Sequence, residues 1–224
     1  MKRVRSIAGL IVLVFLCSSL LMAESDREML VKRWKVTQHQ KSGKAVPLTE
    51  NDFIQLRSDG VYEHARNNYY AKGSWALNAD ELVINNNGEY KWKVVSISPS
   101  NMSLVRGADE TMDLQVVEMP APAPKGSSVK MQQLCTGKWR PNEHHKGATA
   151  AKFMPSDNIS FFANGTYEKI MNNVYSKGVW KLNKEETELT IDSEMWKVEN
   201  VSMLIMKITK MPETEEFMVF AHTR

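Results

Sequence analysis

The sequence predicts an all-β protein whose main body is one small domain written twice in tandem. Three observations predict it: an ungapped internal repeat, short alternating segments joined by Asp-Gly and Asn-Gly turns, and a proline-rich seam between the halves. The repeat appears when Trp34 is laid on Trp139 and the chain is followed at a constant shift of 105 residues. Ile54 then meets Ile159, Gly60 meets Gly165, Tyr62-Glu63 meets Tyr167-Glu168, and Asn67-Asn68 meets Asn172-Asn173. Tyr70 meets Tyr175, Lys72-Gly73 meets Lys177-Gly178, Trp75 meets Trp180, and Leu77-Asn78 meets Leu182-Asn183. Beyond Ala79 the register drifts by a few residues, yet Trp92 is still echoed by Trp196, so all six tryptophans fall into pairs. A periodic self-match of this kind marks a duplicated structural unit.

Within a copy the pattern is strand after strand. Ile54 to Arg57 alternates apolar and polar, Ser58-Asp59-Gly60 turns, and Val61 to His64 returns. Ala163-Asn164-Gly165 is the matching turn of the second copy, and both turn sequences supply residues that tolerate positive φ. Gly73 to Leu77 places Trp75 and Leu77 on one face, because strand side chains alternate. Leu82–Ile84, Lys91–Ile97, Met102–Val105 and Met112–Val117 add further short strands, a spacing that suits a barrel or a sandwich. Each copy also carries a candidate short helix at its start. Ser25 with Glu28 reads as a capping box, and Ser128 to Cys135 is its counterpart, ending at Gly137.

Residues 1–23 read as a signal peptide. Lys2, Arg3 and Arg5 precede an apolar run from Ile7 to Leu16, followed by small residues and a polar turn at Glu24. The expected product is soluble and exported, to the periplasm or outside the cell. The alternative is a lipid-anchored envelope form at Cys17, although the large Leu16 precedes that cysteine. The leader's three basic residues account for the whole charge surplus: 29 Lys plus Arg against 26 Asp plus Glu becomes 26 against 26. With no basic excess to neutralise phosphates, nucleic acid is excluded as a partner class. Cleavage at this point would leave Cys135 as the lone cysteine, read as a half-buried small hydrophobe rather than a reactive thiol. Residues 24–119 form the first domain, 120–132 the proline-rich linker and 133–224 the second domain.

The ordered set Gly137-Lys138-Trp139, Ile159-Ser160-Phe161, Asn164-Gly165-Thr166-Tyr167 and Gly178-Val179-Trp180-Lys181-Leu182 resembles the small secreted lipocalin-like domains of bacteria. Trp34, Asp59-Gly60-Val61-Tyr62 and Gly73-Ser74-Trp75-Ala76-Leu77 repeat the pattern in the first copy, where Lys32 stands in place of the motif's first glycine. The resemblance implies two tandem small antiparallel β-barrels and a binding role for small apolar molecules. On that reading Tyr62, Trp75, Trp92, Tyr167, Trp180 and Trp196 line the ligand sites. The competing reading is that these aromatics are the packed core that a small domain must have. The alternative function is then an envelope interaction module whose filled barrels bind a protein or a glycan.

Other constellations read as structural. Glu63 and Glu168 alternate with their tyrosines and are expected at the surface. His39, His144 and His145 are expected in surface loops rather than at a metal, which needs three or four converging ligands. The paired asparagines read as turn chemistry. The 14 methionines suit irregular cores. No nucleophile–base arrangement, phosphate loop or clustered ligand set is present in the sequence. The expectation is a protein that is not an enzyme, with no cofactor, no metal and no transmembrane span after the leader.

Overall fold

The computed structural model describes residues 27–121, 123–212 and 215–223, and the leader and the Ser25 cap lie outside them. The fold is all-β, with antiparallel strands closed into a barrel and two short helical segments at residues 27–30 (α1) and Val129–Leu134 (α2). The described residues divide into two compact units, one of residues 27–66 with 71–118, the other of residues 67–70 with the described residues from 119 onward.

In the first unit the strands are β1 (Arg33–Lys41), β2 (Lys44–Ala45), β3 (Phe53–Leu56), β4 (Val61–Arg66), β5 (Tyr69–Asn78), β6 (Glu81–Asn85), β7 (Glu89–Ile97), β8 (Asn101–Arg106) and β9 (Glu110–Val116). From β3 to β9 each strand pairs with the next, and β1 pairs with both β3 and β9, so the ladder returns to its start. The second unit repeats the circuit with β10 (Lys138–Lys146), β11 (Thr149–Ala150), β12 (Asn158–Phe161), β13 (Thr166–Met171), β14 (Val174–Leu182), β15 (Glu188–Ile191), β16 (Glu194–Val201), β17 (Ile205–Lys210) and β18 (Glu216–Thr223). Here β10 pairs with both β12 and β18.

The recurring residues have local reasons to recur. Gly60 and Gly165 sit at φ +79° and +81°, and each carbonyl accepts from the backbone N–H of the matching tryptophan, Trp75 or Trp180, at 2.8 Å. Asp59 and Asn164 each accept from the backbone two residues on, closing an Asx turn. Asn67-Asn68 and Asn172-Asn173 all adopt positive φ, the conformation of a two-residue hairpin turn that suits right-twisted strands. Helix α2 is capped by Ser128, whose side chain accepts from Met131 N. It begins at Val129, inside the stretch assigned to the linker, and its Met131 and Leu134 pack on the second core.

Four of the tryptophans are anchored by their indole N–H. Trp34 donates to Leu30 O and Trp139 to Leu134 O, both at 2.9 Å and fully buried, so each helical turn is tied beneath its ladder. Trp75 donates to Arg57 O and Trp180 to Phe162 O, fastening the turn that precedes β4 or β13. These bonds satisfy a donor that would otherwise be costly to bury.

Close approach explains the glycine that precedes each central tryptophan. A Cβ at Gly73 would lie 2.0 Å from Asn85 O, and one at Gly178 would lie 2.2 Å from Asp192 Oδ1 and within 3 Å of the Tyr167 ring. Backbone at this distance cannot yield as a flexible side chain can. Gly73→Ala is therefore expected to destabilise the protein by about 1–3 kcal/mol, read as a lower urea midpoint at unchanged slope. An unchanged midpoint would contradict the packing described.

Candidate functional site

A recurring β-bulge sets the direction of one histidine in each unit. On β1, Trp34 and Val36 face the core, and simple alternation would next send Gln38 inward. The register shifts between Val36 and Gln38, so His39 lies opposite Met112, a core residue. On β10 the shift falls between Pro141 and Glu143, and His144 lies opposite Met218. An extra residue in one strand reverses the parity of everything after it. Both histidines therefore belong to strands and turn inward. His39 is 7% exposed, which corrects the expectation of surface loops.

The other walls supply charged partners by ordinary alternation. Glu110 follows the face of Met112 and Leu114, Arg106 that of Met102 and Leu104, and His64 and Arg66 that of Tyr62. His39 Nε2 and Glu110 Oε1 are 2.9 Å apart, and Arg66 Nη2 meets His39 Nδ1 at 3.0 Å. A guanidinium only donates, so Nδ1 is the acceptor and the ring hydrogen sits on Nε2, facing the carboxylate. Arg106 Nε donates to Glu110 Oε2 at 2.6 Å, and its Nη2 closes on the same oxygen. The Arg106 guanidinium lies over Tyr90 and Trp92, with its carbon 5.3 and 5.0 Å from the ring centres. Arg66 Nε stands 3.6 Å from Asp52 Oδ2.

The second unit has the same couple in a different setting. His144 Nε2 and Glu216 Oε1 are 3.0 Å apart. Lys210 takes the place of Arg106: its Nζ reaches Glu194 at 2.7 Å and Glu216 at 3.7 Å, and lies 5.3 Å from the centre of the Trp196 ring. Lys169 and Met171 stand where the first unit has His64 and Arg66. Among the described residues no group of three or more His, Cys, Asp or Glu converges as metal ligands.

Electrostatics follow the partners. Burial raises the Glu110 carboxyl, but hydrogen bonds from His39 and Arg106 outweigh it and bring the group below its ordinary value. Glu216 is lowered in the same way, against burial, by His144 and Lys210. Burial, then the neighbouring Arg66, pulls His64 down to about 4, against the opposing pull of Asp52. Burial pushes the phenols of Tyr62 and Tyr167 up, the latter helped by its 2.6 Å bond to Asp192. Burial also pushes the Cys135 thiol up to about 11, away from thiolate chemistry.

All six expected lining residues are buried in the two cores: Tyr62, Trp75 and Trp92 in the first, Tyr167, Trp180 and Trp196 in the second. Trp92 and Trp196 lie beside the charged couples, and Trp75 and Trp180 spend their N–H on turn carbonyls. Trp196 Nε1 is buried without a hydrogen-bond partner. Glu63 corrects a second expectation: it is 3% exposed, with Arg57 Nη1 at 4.0 Å. Its face of the β3–β4 hairpin also carries Phe53 and Ala65, themselves 4% and 0% exposed, so that face does not meet solvent. Glu168 is half-buried, 3.7 Å from Lys177.

No protein-family model and no curated protein matches the chain. Among solved structures, a lipocalin-like protein from Bacteroides uniformis aligns at 15% identity and a TM-score of 0.35, over 40% of this chain and 99% of that one.

The depressed histidine makes a pH prediction. Unfolded, His64 titrates near 6.5; folded, near 4, so the unfolded chain takes up the proton first and stability is lost as pH falls across that window. Lowering the pH from 7 to 4 is expected to cost on the order of 3 kcal/mol through this residue, and His64→Gln is expected to flatten that part of the profile in urea titrations. A variant with the same pH slope as the parent would contradict the assignment.

Proposed function

We propose that the chain is an exported, non-enzymatic binding protein built of two tandem lipocalin-like barrels, each holding a small, largely apolar molecule. The observation that supports it most is the pairing, in each unit, of an aromatic interior with one inward His–Glu couple and its cation. Small-molecule sites have this composition: mostly apolar walls with a few convergent polar groups that fix orientation. The duplication favours the same reading, since both units keep the bulge, the histidine, the glutamate, the cation and the tryptophan. A hydrolytic role for the first couple is disfavoured because both ring nitrogens of His39 are occupied, by Glu110 and Arg66. A general base needs a free nitrogen within reach of the proton it takes.

One observation favours the second reading, an envelope interaction module. At the β16–β17 turn Met203, Leu204 and Ile205 are 58%, 72% and 47% exposed, where the first unit has Pro99, Ser100 and Asn101. Contiguous exposed apolar residues mark contact surfaces.

Native mass spectrometry of the chain purified from an exporting host separates the two. The carrier reading expects an added mass that organic extraction removes and that returns on re-addition. A bare chain mass that no added extract shifts would favour the interaction module.

A further inference from the structure

Donors and acceptors in the inward cluster balance differently in the two units. In the first, both oxygens of Glu110 are taken, Oε1 by His39 and Oε2 by Arg106. Arg66 Nε makes no hydrogen bond, although it stands in an ion pair with Asp52 Oδ2 at 3.6 Å. His64 Nδ1, a donor or an acceptor according to the tautomer, is also buried without a partner. Arg66 and Arg106 come from β4 and β8, strands that are not neighbours in the ladder, and their side chains keep 22% and 30% of their surface open. Beside them the Tyr90 ring is 41% exposed and stacked under the Arg106 guanidinium. A buried donor without an acceptor is costly and is relieved by a ligand that supplies one. The guanidinium fork matches a carboxylate in shape as well as charge.

The second unit lacks these groups. Met171 replaces Arg66, and Lys210 is engaged by Glu194 and Glu216. Its couple is kept, but the groups that would meet an added anion are gone.

We propose that the first unit binds a small molecule with a flat apolar body and a carboxylate head, the head held by Arg66, His64 and Arg106 and the body laid against Tyr90. The second unit takes its ligand without selecting for an anion. This assignment rests on the carrier reading above and names the ligand chemistry of one of its two sites.

The test compares 2-naphthoate with 2-naphthalenemethanol, which share a body and differ in the charged head. Calorimetry on the full exported chain is expected to show one naphthoate site binding about tenfold or more tighter than the alcohol. In NMR spectra of the unaltered protein, the Arg66 Nε–H and His64 ring signals move with naphthoate and not with the alcohol. Arg66→Met removes the preference for naphthoate over the alcohol, and Arg66→Gln, which keeps polar bulk, checks that loss of fold is not the cause. Equal affinity for the two compounds, or naphthoate binding that leaves the Arg66 signal in place, overturns the head-group assignment and leaves the carrier reading standing. Failure of both compounds to bind also overturns the assignment, while the extractable mass still decides the carrier reading independently.

Discussion

In each unit the last strand pairs with the first. The His39–Glu110 contact spans 71 residues of chain and the His144–Glu216 contact spans 72, so both exist only when the ladder closes. Closure of so long a loop costs chain entropy that no local interaction recovers. It is offset by what that pairing completes: the first and last strands of each unit gain partners, and the inner residues meet as one core cluster in each unit. The tryptophan of the first strand reinforces the closure by holding the preceding helical turn to the ladder.

The bulge then decides what the closed interior contains. Without it, His39 and His144 would face outward and the inner ends of β9 and β18 would each bury a glutamate with one partner fewer. A buried carboxylate is tolerated only when paired and hydrogen-bonded. In the first unit His39 and Arg106 both meet Glu110, and Arg66 completes a chain of contacts that reaches back to Asp52. The polar cluster therefore depends on closure for its partners and on the bulge for its orientation.

Much of this architecture was legible in the residues. The duplication, the paired tryptophans, the Asp-Gly and Asn-Gly turns and the asparagine pairs were all readable, because each rests on local backbone chemistry or on self-comparison. The helix after Ser128 was visible through its cap. The charged couples were not, for two physical reasons. Strand alternation counted from Trp34 sends His39 to solvent, and only the hydrogen-bond register reveals the bulge. Glu110 and Arg106 lie beyond Ala79, where the constant shift fails, so their counterparts Glu216 and Lys210 do not align at 105 residues. Burial of Glu63 was hidden because alternation identifies a face but not what covers it. A usable signal did exist in the recurrence of His39 at His144, each followed two residues on by a lysine.

The two units thus share a framework and differ in charge chemistry at one end of it. Arg66, His64 and Tyr90 of the first unit correspond in sequence to Met171, Lys169 and Glu194 of the second. The His–Glu couple is the part that both units share. In each unit this couple is held between the first and last strands, the histidine donating its Nε2–H to the carboxylate. Long-range proton–nitrogen correlation spectra of the histidine rings test it most directly. Slowly exchanging Nε2–H signals are expected for both His39 and His144, with the His39 Nδ1 resonance displaced by the bond it accepts. Rings that exchange rapidly with solvent and populate both tautomers would contradict it.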